Sequence, residues 1–242
     1  MKDILNKKVE PDSSDRTRNF GSGYFTFHEN KVVCYLDIQG TERYYDYLST
    51  IKNADIIEEK VVEKYLNRFM KELDKIDKVS YGIHVLSDSA LIIPKSNSSD
   101  HHEIPSYGKF VSTMIKLFES LLKGAIPCRF IITKGAYFSI GINDSNMNIL
   151  PGGEVYLKCL RADNILKGRG PGIYTDIEEI KIKCISESKW DLIDLSLFKD
   201  CFENVEDLKD NLNIIKGSHM NVEIEEVDER YNQIYNWLLE SK

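Results

Sequence analysis

Apolar positions along the chain fall into short β-type runs and longer helical stripes. Residues 31–38, KVVCYLDI, are apolar and β-branched almost throughout, the pattern of a buried central strand. Gly40 breaks this run, and a helix is expected to start near Thr41. From 56 to 76, Ile57, Val61, Val62, Tyr65, Leu66, Phe69, Met70 and Leu73 recur at helical spacing, with charges on the opposite face. Strands at roughly 79–86 and 89–94, joined at Ser87-Asp88-Ser89, predict a β-hairpin with an aspartate at its tip. The polar run KSNSSDHHE predicts a loop, and 106–123 a helix that Gly124 ends. Residues 128–133 predict a strand, Gly135 a turn or bulge, and 136–142 a further strand. Gly152-Gly153 opens a helix at 154–166, and the GRGPG turn at 168–172 precedes a short strand at 173–175.

The order β-α-α-β-β-α-β-β-α-β, with hairpin strands flanking crossover helices, predicts an α+β fold of the ferredoxin-like sandwich type, its sheet mixed and mainly antiparallel. The organisation expected is an irregular, polar N-terminal segment over 1–30, a catalytic domain over 31–185 that closes with a short strand at 180–185, and a mainly helical C-terminal extension over 186–242. In the extension, 190–214 and the amphipathic stretch 222–240 predict helices.

Composition narrows the chemistry. The 242 residues are 42% hydrophobic, enough for a substantial core, and carry a formal net charge of -7. That balance disfavours broad nucleic-acid binding, which needs Lys and Arg clustered on one face. No apolar run approaches the roughly 20 residues that span a bilayer, so no membrane partner is expected. The five cysteines are scattered without CxxC spacing, which argues against a zinc site or disulfide framework and for a reducing compartment, the cytoplasm.

Two aspartates carry the candidate chemistry. Asp37 ends an apolar strand directly before a turn into a helix. A carboxylate there suits a hard cation, and backbone N–H groups of the turn suit phosphate oxygens, although an aspartate in that place also serves as an N-cap. Asp88 sits at the hairpin tip, where aspartates are common turn residues. With the hairpin beside the central strand, both carboxylates project from one sheet edge, where they repel unless a cation lies between them. Two metal ions about 3.5–4 Å apart can activate a hydroxyl and neutralise a triphosphate.

Three stretches in this order, 35–41 (YLDIQGT), 86–90 (LSDSA) and 126–135 (IPCRFIITKG), followed by the Gly-rich opening of a helix, resemble the class III nucleotidyl cyclase domain. The resemblance spans about 31–176 and is nearest to the bacterial pyrimidine cyclases of the Pycsar anti-phage system. It implies a homodimer that turns a nucleoside triphosphate, UTP or CTP, into a 3′,5′-cyclic nucleotide and pyrophosphate, the product acting on a separate effector. It implies Asp37, Asp88 and the carbonyl of Ile38 as ligands of two Mg²⁺ or Mn²⁺ ions per site. It implies Ile38, Gln39, Gly40 and Thr41 as the start of the phosphate-binding segment, 38–43. It implies Arg161 as the arginine facing the transition state, supplied by the opposite protomer. An arginine on an amphipathic helix is more often a solvated residue.

The third stretch is degenerate, and Arg129 within it is a second candidate for the substrate or for a structural ion pair. Where the family has an asparagine that orients the ribose, this chain has Leu157. The adenine-reading lysine and aspartate positions hold His84 and Leu150, so a purine substrate is disfavoured. His84 suits a base edge or a satisfied place in the core. Two competing readings are a degenerate cyclase-like module that binds without turnover, and a polymerase-palm relative, which the acidic balance opposes.

Overall fold

A computed structural model describes residues 16–20, 23–41, 66–95, 107–124, 126–142, 150–166, 171–178, 184–185 and 191–193. The β-branched run of the sequence forms the C-terminal half of a long strand, β2 (Gly23–Ile38), preceded by β1 (Arg16–Phe20). Then follow α1 (Arg68–Asp74), β3 (Tyr81–Leu86), β4 (Ser89–Pro94), α2 (Tyr107–Lys123), β5 (Cys128–Ile142), β6 (Leu150–Gly152), α3 (Glu154–Ile165), β7 (Gly172–Thr175), β8 (Cys184–Ile185) and β9 (Asp191–Ile193).

The strands make one sheet in the order β3-β4-β2-β5-β7-β9-β8, with β1 on β2 and β6 on β5. Only β5 and β7 pair in parallel among the described strands; α3 lies between them in sequence as the crossover. This is the α+β class with a mainly antiparallel sheet that the pattern predicts.

Strand periodicity divides the core in two. Val32, Cys34, Leu36 and Ile38 of β2, with Cys128, Phe130 and Ile132 of β5, point to α1 and α2. From α2 this side receives Phe110, Met114, Leu117, Phe118 and Leu121, a helical stripe. Phe118 meets Phe130 edge-on at 5.4 Å between ring centroids, and losing either ring costs about 3–5 kcal/mol, the usual effect of a large-to-small change in a core. Val33 and Tyr35 of β2, Leu91 and Ile93 of β4, Ile131 of β5 and Tyr174 of β7 face the other way, onto Val155, Cys159, Ala162 and Leu166 at α3. Helices thus cover both faces.

Four expectations are corrected. Residues 16–20 and 23–30 are strand rather than irregular segment: the aromatic stretch Tyr24-Phe25-Thr26-Phe27 extends β2, and Phe25 stacks on Phe138 with centroids 5.6 Å apart. Gly135 does not interrupt its strand. β5 runs unbroken, and the irregularity lies on the partner, where β2 gains a residue between His28 and Lys31. The boundary at 185 cuts the sheet, because β9 pairs with β7 through Tyr174↔Leu192 and Thr175↔Asp191. Residues 191–193 are therefore strand, not helix; the rest of 186–242 lies outside the described residues, as does 42–65 of the expected first helices. Among the described residues no helix is long and apolar enough to cross a membrane.

Candidate active site

Antiparallel register sets out one end of the sheet row by row. Leu86, Ser89, Asp37, Arg129 and Gly172 lie side by side across β3, β4, β2, β5 and β7. The next row on the same face, two residues away along each strand, is His84, Leu91, Tyr35, Ile131 and Tyr174. Because cross-strand partners share a face, Asp37, Arg129, Tyr35, Ser89 and His84 all belong to the side of the sheet that carries α3.

Asp88 joins this row through the hairpin turn. Leu86 pairs with Ser89, so Ser87 and Asp88 form a two-residue loop. Ser87 has φ 60 and is the only non-glycine with positive φ among the described residues, which is the φ pattern of a type II′ turn. The turn is tied down twice: Ser89 Oγ donates to the Leu86 carbonyl at 2.8 Å, and the Ile38 amide donates to the Asp88 carbonyl at 3.0 Å. Asp88 and Asp37 are therefore brought together at the level of the backbone. Burial first, and then the charges of Asp37 and Asp88, push the thiol of Cys128, opposite Ile38, well above its ordinary range. Asp37 keeps 22% of its side-chain surface, and Asp88 is half-buried.

The segment expected to take phosphate is partly committed. The amide of Gln39 donates to the Pro127 carbonyl at 2.8 Å, and that of Ile38 is spent on Asp88. Gly40, at φ 78, turns the chain in the left-handed region that glycine tolerates, toward a helical Thr41. Thr41 Oγ1 lies 3.5 Å from the Ile38 carbonyl oxygen. Arg43 and the residues after Thr41 lie outside the described residues.

Arg129 takes the ion-pair role rather than facing solvent. It is 2% exposed. Its Nε donates to Asp163 Oδ1 at 2.9 Å, Nη2 donates to the same oxygen, and Nη1 donates to the Leu166 carbonyl at 3.0 Å. Nη2 stands 3.6 Å from Asp37 Oδ2. Nothing in the spacing of the sequence signals this pairing with Asp163.

His84 is half-buried, and burial lowers its pKa from the ordinary 6.5, so the imidazole is neutral at neutral pH. Tyr35 adds a buried phenol to the same face; burial raises its pKa, and it hydrogen-bonds to Ser89. Arg161 lies apart from this row, exposed on α3, between Leu157 at 51% and Ile165 at 65% exposure. The side chain of Leu150 lies outside the described residues, as do His101 and His102.

Among the described residues no group of three or more His, Cys, Asp or Glu side chains is gathered to hold a metal ion. The oxygen donors that these residues offer, the two carboxylates and the main-chain carbonyl of Ile38, are of the type that Mg²⁺ and Mn²⁺ take.

No protein-family model and no curated protein matches the chain. Among solved structures it is similar to the catalytic core of a rhodopsin-guanylyl cyclase with converted specificity, in complex with ATPαS. The identity is 14%, the match covers 69% of this chain and 97% of that one, and the TM-score is 0.48. It is also similar to the guanylyl cyclase Cya2, at 13% identity over 67% of this chain and 91% of that one, with a TM-score of 0.44.

Proposed function

We propose that this chain is a nucleotidyl cyclase that converts a nucleoside triphosphate into a 3′,5′-cyclic nucleotide and pyrophosphate. The observation that carries the reading is the joining of Asp37 and Asp88 at one sheet end by the Ile38–Asp88 backbone bond. The motifs at 35–41 and 86–90 supply the resemblance to class III cyclases. In the reaction the 3′-oxygen bonds to the α-phosphorus, the bond from that phosphorus to the bridging oxygen breaks, pyrophosphate leaves, and the 3′-hydroxyl proton passes to solvent. Asp37, Asp88 and the Ile38 carbonyl would hold two Mg²⁺ or Mn²⁺ ions, which supply activation of the hydroxyl and neutralisation of the triphosphate. The turn at Gly40 and Thr41 opens the segment that receives the phosphates.

Arg161 reaches the α-phosphate from a second protomer, giving two equivalent sites in a two-fold dimer. The exposed spacing of Leu157, Arg161 and Ile165 along α3 suits a face that meets another copy. His84 reads the base. A neutral imidazole has one donor and one acceptor, and a polar group built for one base edge rejects a base that leaves it unpaired. UTP is the substrate this favours, with CTP next, and the cyclic product acts on a separate effector in anti-phage defence. Leu157 in the ribose-orienting position favours the second reading, a module that binds a nucleotide without turnover.

The test is incubation of the purified chain with each of ATP, GTP, UTP and CTP and Mn²⁺, followed by mass spectrometry for cyclic monophosphate and pyrophosphate. A cyclic pyrimidine nucleotide is expected, and His84→Ala should narrow the preference between bases. Nucleotide binding with no product from any of the four selects the second reading. A larger yield of cAMP or cGMP than of either pyrimidine product refutes the base assignment.

A further inference from the structure

The buried guanidinium of Arg129 lies between two carboxylates and is shared unequally. Asp163 on α3 takes Nε at 2.9 Å and Nη2 as well, and the Leu166 carbonyl, at the end of the same helix, takes Nη1 at 3.0 Å. Asp37 Oδ2 stands 3.6 Å from Nη2, a charge contact beyond hydrogen-bond length. All three side chains are mostly buried, at 3%, 15% and 22% exposure for Arg129, Asp163 and Asp37. One cation cannot neutralise both carboxylates. A planar guanidinium has a fixed fork of donors, and here that fork is turned toward the helix.

We infer that Asp163 is a positioning residue for Asp37: by engaging Arg129, it keeps the guanidinium from closing onto the carboxylate that would hold a metal ion. The inference rests on the cyclase reading of Asp37. Without the Asp163 charge, Arg129 keeps only uncharged acceptors at that end of α3, the Leu166 carbonyl among them, and among the described residues the carboxylate left in charge contact with it is Asp37. A direct Arg129–Asp37 ion pair then competes with a divalent cation for the same oxygens. A merely structural tie between β5 and α3 predicts something different, namely that every change at either partner loosens the helix and that two changes are no better than one.

The experiment titrates Mn²⁺ into the full chain by calorimetry, with Asp37→Asn as the blank, and follows thermal unfolding of each variant. Asp163→Asn is expected to weaken Asp37-dependent Mn²⁺ binding by about tenfold or more, the usual effect of losing a partner behind a metal ligand. Asp163→Glu, which keeps the charge, is expected to bind as wild type does. The decisive variant is the double change Arg129→Met with Asp163→Asn, which removes the competing cation and should return the affinity to within about twofold of wild type, the ordinary scatter between independent sites. Unchanged binding in Asp163→Asn overturns the inference and leaves the cyclase reading standing. So does a double variant that binds as weakly as Asp163→Asn. A wild-type chain without Asp37-dependent Mn²⁺ binding overturns both.

Discussion

The backbone amide of Ile38 donates to the carbonyl oxygen of Asp88 over 3.0 Å. That bond joins the end of β2 to the tip of the β3–β4 hairpin, and it brings together the backbone at two aspartates 51 positions apart in the chain, Asp37 and Asp88. It uses only main-chain atoms, so it survives replacement of either side chain. Asp37→Ala and Asp88→Ala should therefore leave the fold intact, with melting temperatures within a few degrees of wild type. Each removes an oxygen donor worth several kcal/mol of transition-state stabilisation, so turnover of the preferred triphosphate should fall about a thousandfold or more. Near wild-type rates in either variant with Mn²⁺ would show that the metal assignment is wrong.

Ser87 occupies the first central position of the hairpin turn at φ 60, a conformation in which glycine has no Cβ penalty. Strain of about 1–2 kcal/mol for an L-residue in that region is partly offset in Ser87→Gly by the backbone entropy that glycine loses, about 0.5–1 kcal/mol. The expected result is a small gain in stability for Ser87→Gly. Ser87→Val, with a β-branched side chain that resists positive φ, should lose about 1–3 kcal/mol. Chemical denaturation of the three proteins ranks them, and valine equal to serine would contradict the turn geometry.

Some of this was readable in advance. The run 31–38 and the hairpin at 81–94 announce themselves because a buried strand needs continuous apolar residues and a two-residue turn tolerates few residue types. The two aspartates follow, since both fall at strand ends in a motif order that places them on one edge. Residues 23–30 were not readable as strand, because Gly23, His28, Glu29 and Asn30 interrupt the apolar pattern, and it is pairing with 137–142 of β5 that extends the strand. Gly135 suggested an irregularity on its own strand, whereas the extra residue was accommodated on the partner. The Arg129–Asp163 pair depends on which face of β5 meets which side of α3, a tertiary fact that neither residue's neighbours in sequence disclose.

His84 offers a pH test. Its folded pKa is held below the unfolded 6.5 by burial, so between the two values the unfolded chain binds a proton that the folded chain refuses. Stability through this group is complete above pH 6.5 and declines as pH falls through that value toward the lower folded pKa. His84→Gln cannot titrate, so the difference in unfolding free energy between wild type and variant should shift against wild type on acidification below pH 6.5. A difference that stays flat from neutral pH to pH 5 would mean that the imidazole is as well solvated in the fold as out of it.

Asp37 and Asp88 belong to one sheet end, whereas Arg161 sits on the exposed side of α3, flanked by Leu157 and Ile165. If each site takes its aspartates from one protomer and its arginine from the other, two inactive chains can repair each other. A chain carrying Asp37→Ala and Asp88→Ala has lost its own carboxylates but still presents Arg161. A chain carrying Arg161→Ala presents the reverse. In the mixed dimer one site receives all the defects and the other receives none. Random exchange at equal concentration makes half the dimers mixed, each with one intact site of two, so about a quarter of wild-type activity should return. Each variant alone should stay near background. Differently tagged chains, purified through both tags in turn, should raise recovery to about half, since every dimer is then mixed. Exchange demonstrated by co-purification without recovered activity would exclude a shared site. It would leave Arg161 as a solvated residue on a surface helix, and the reaction would have to find its positive charge within the protomer.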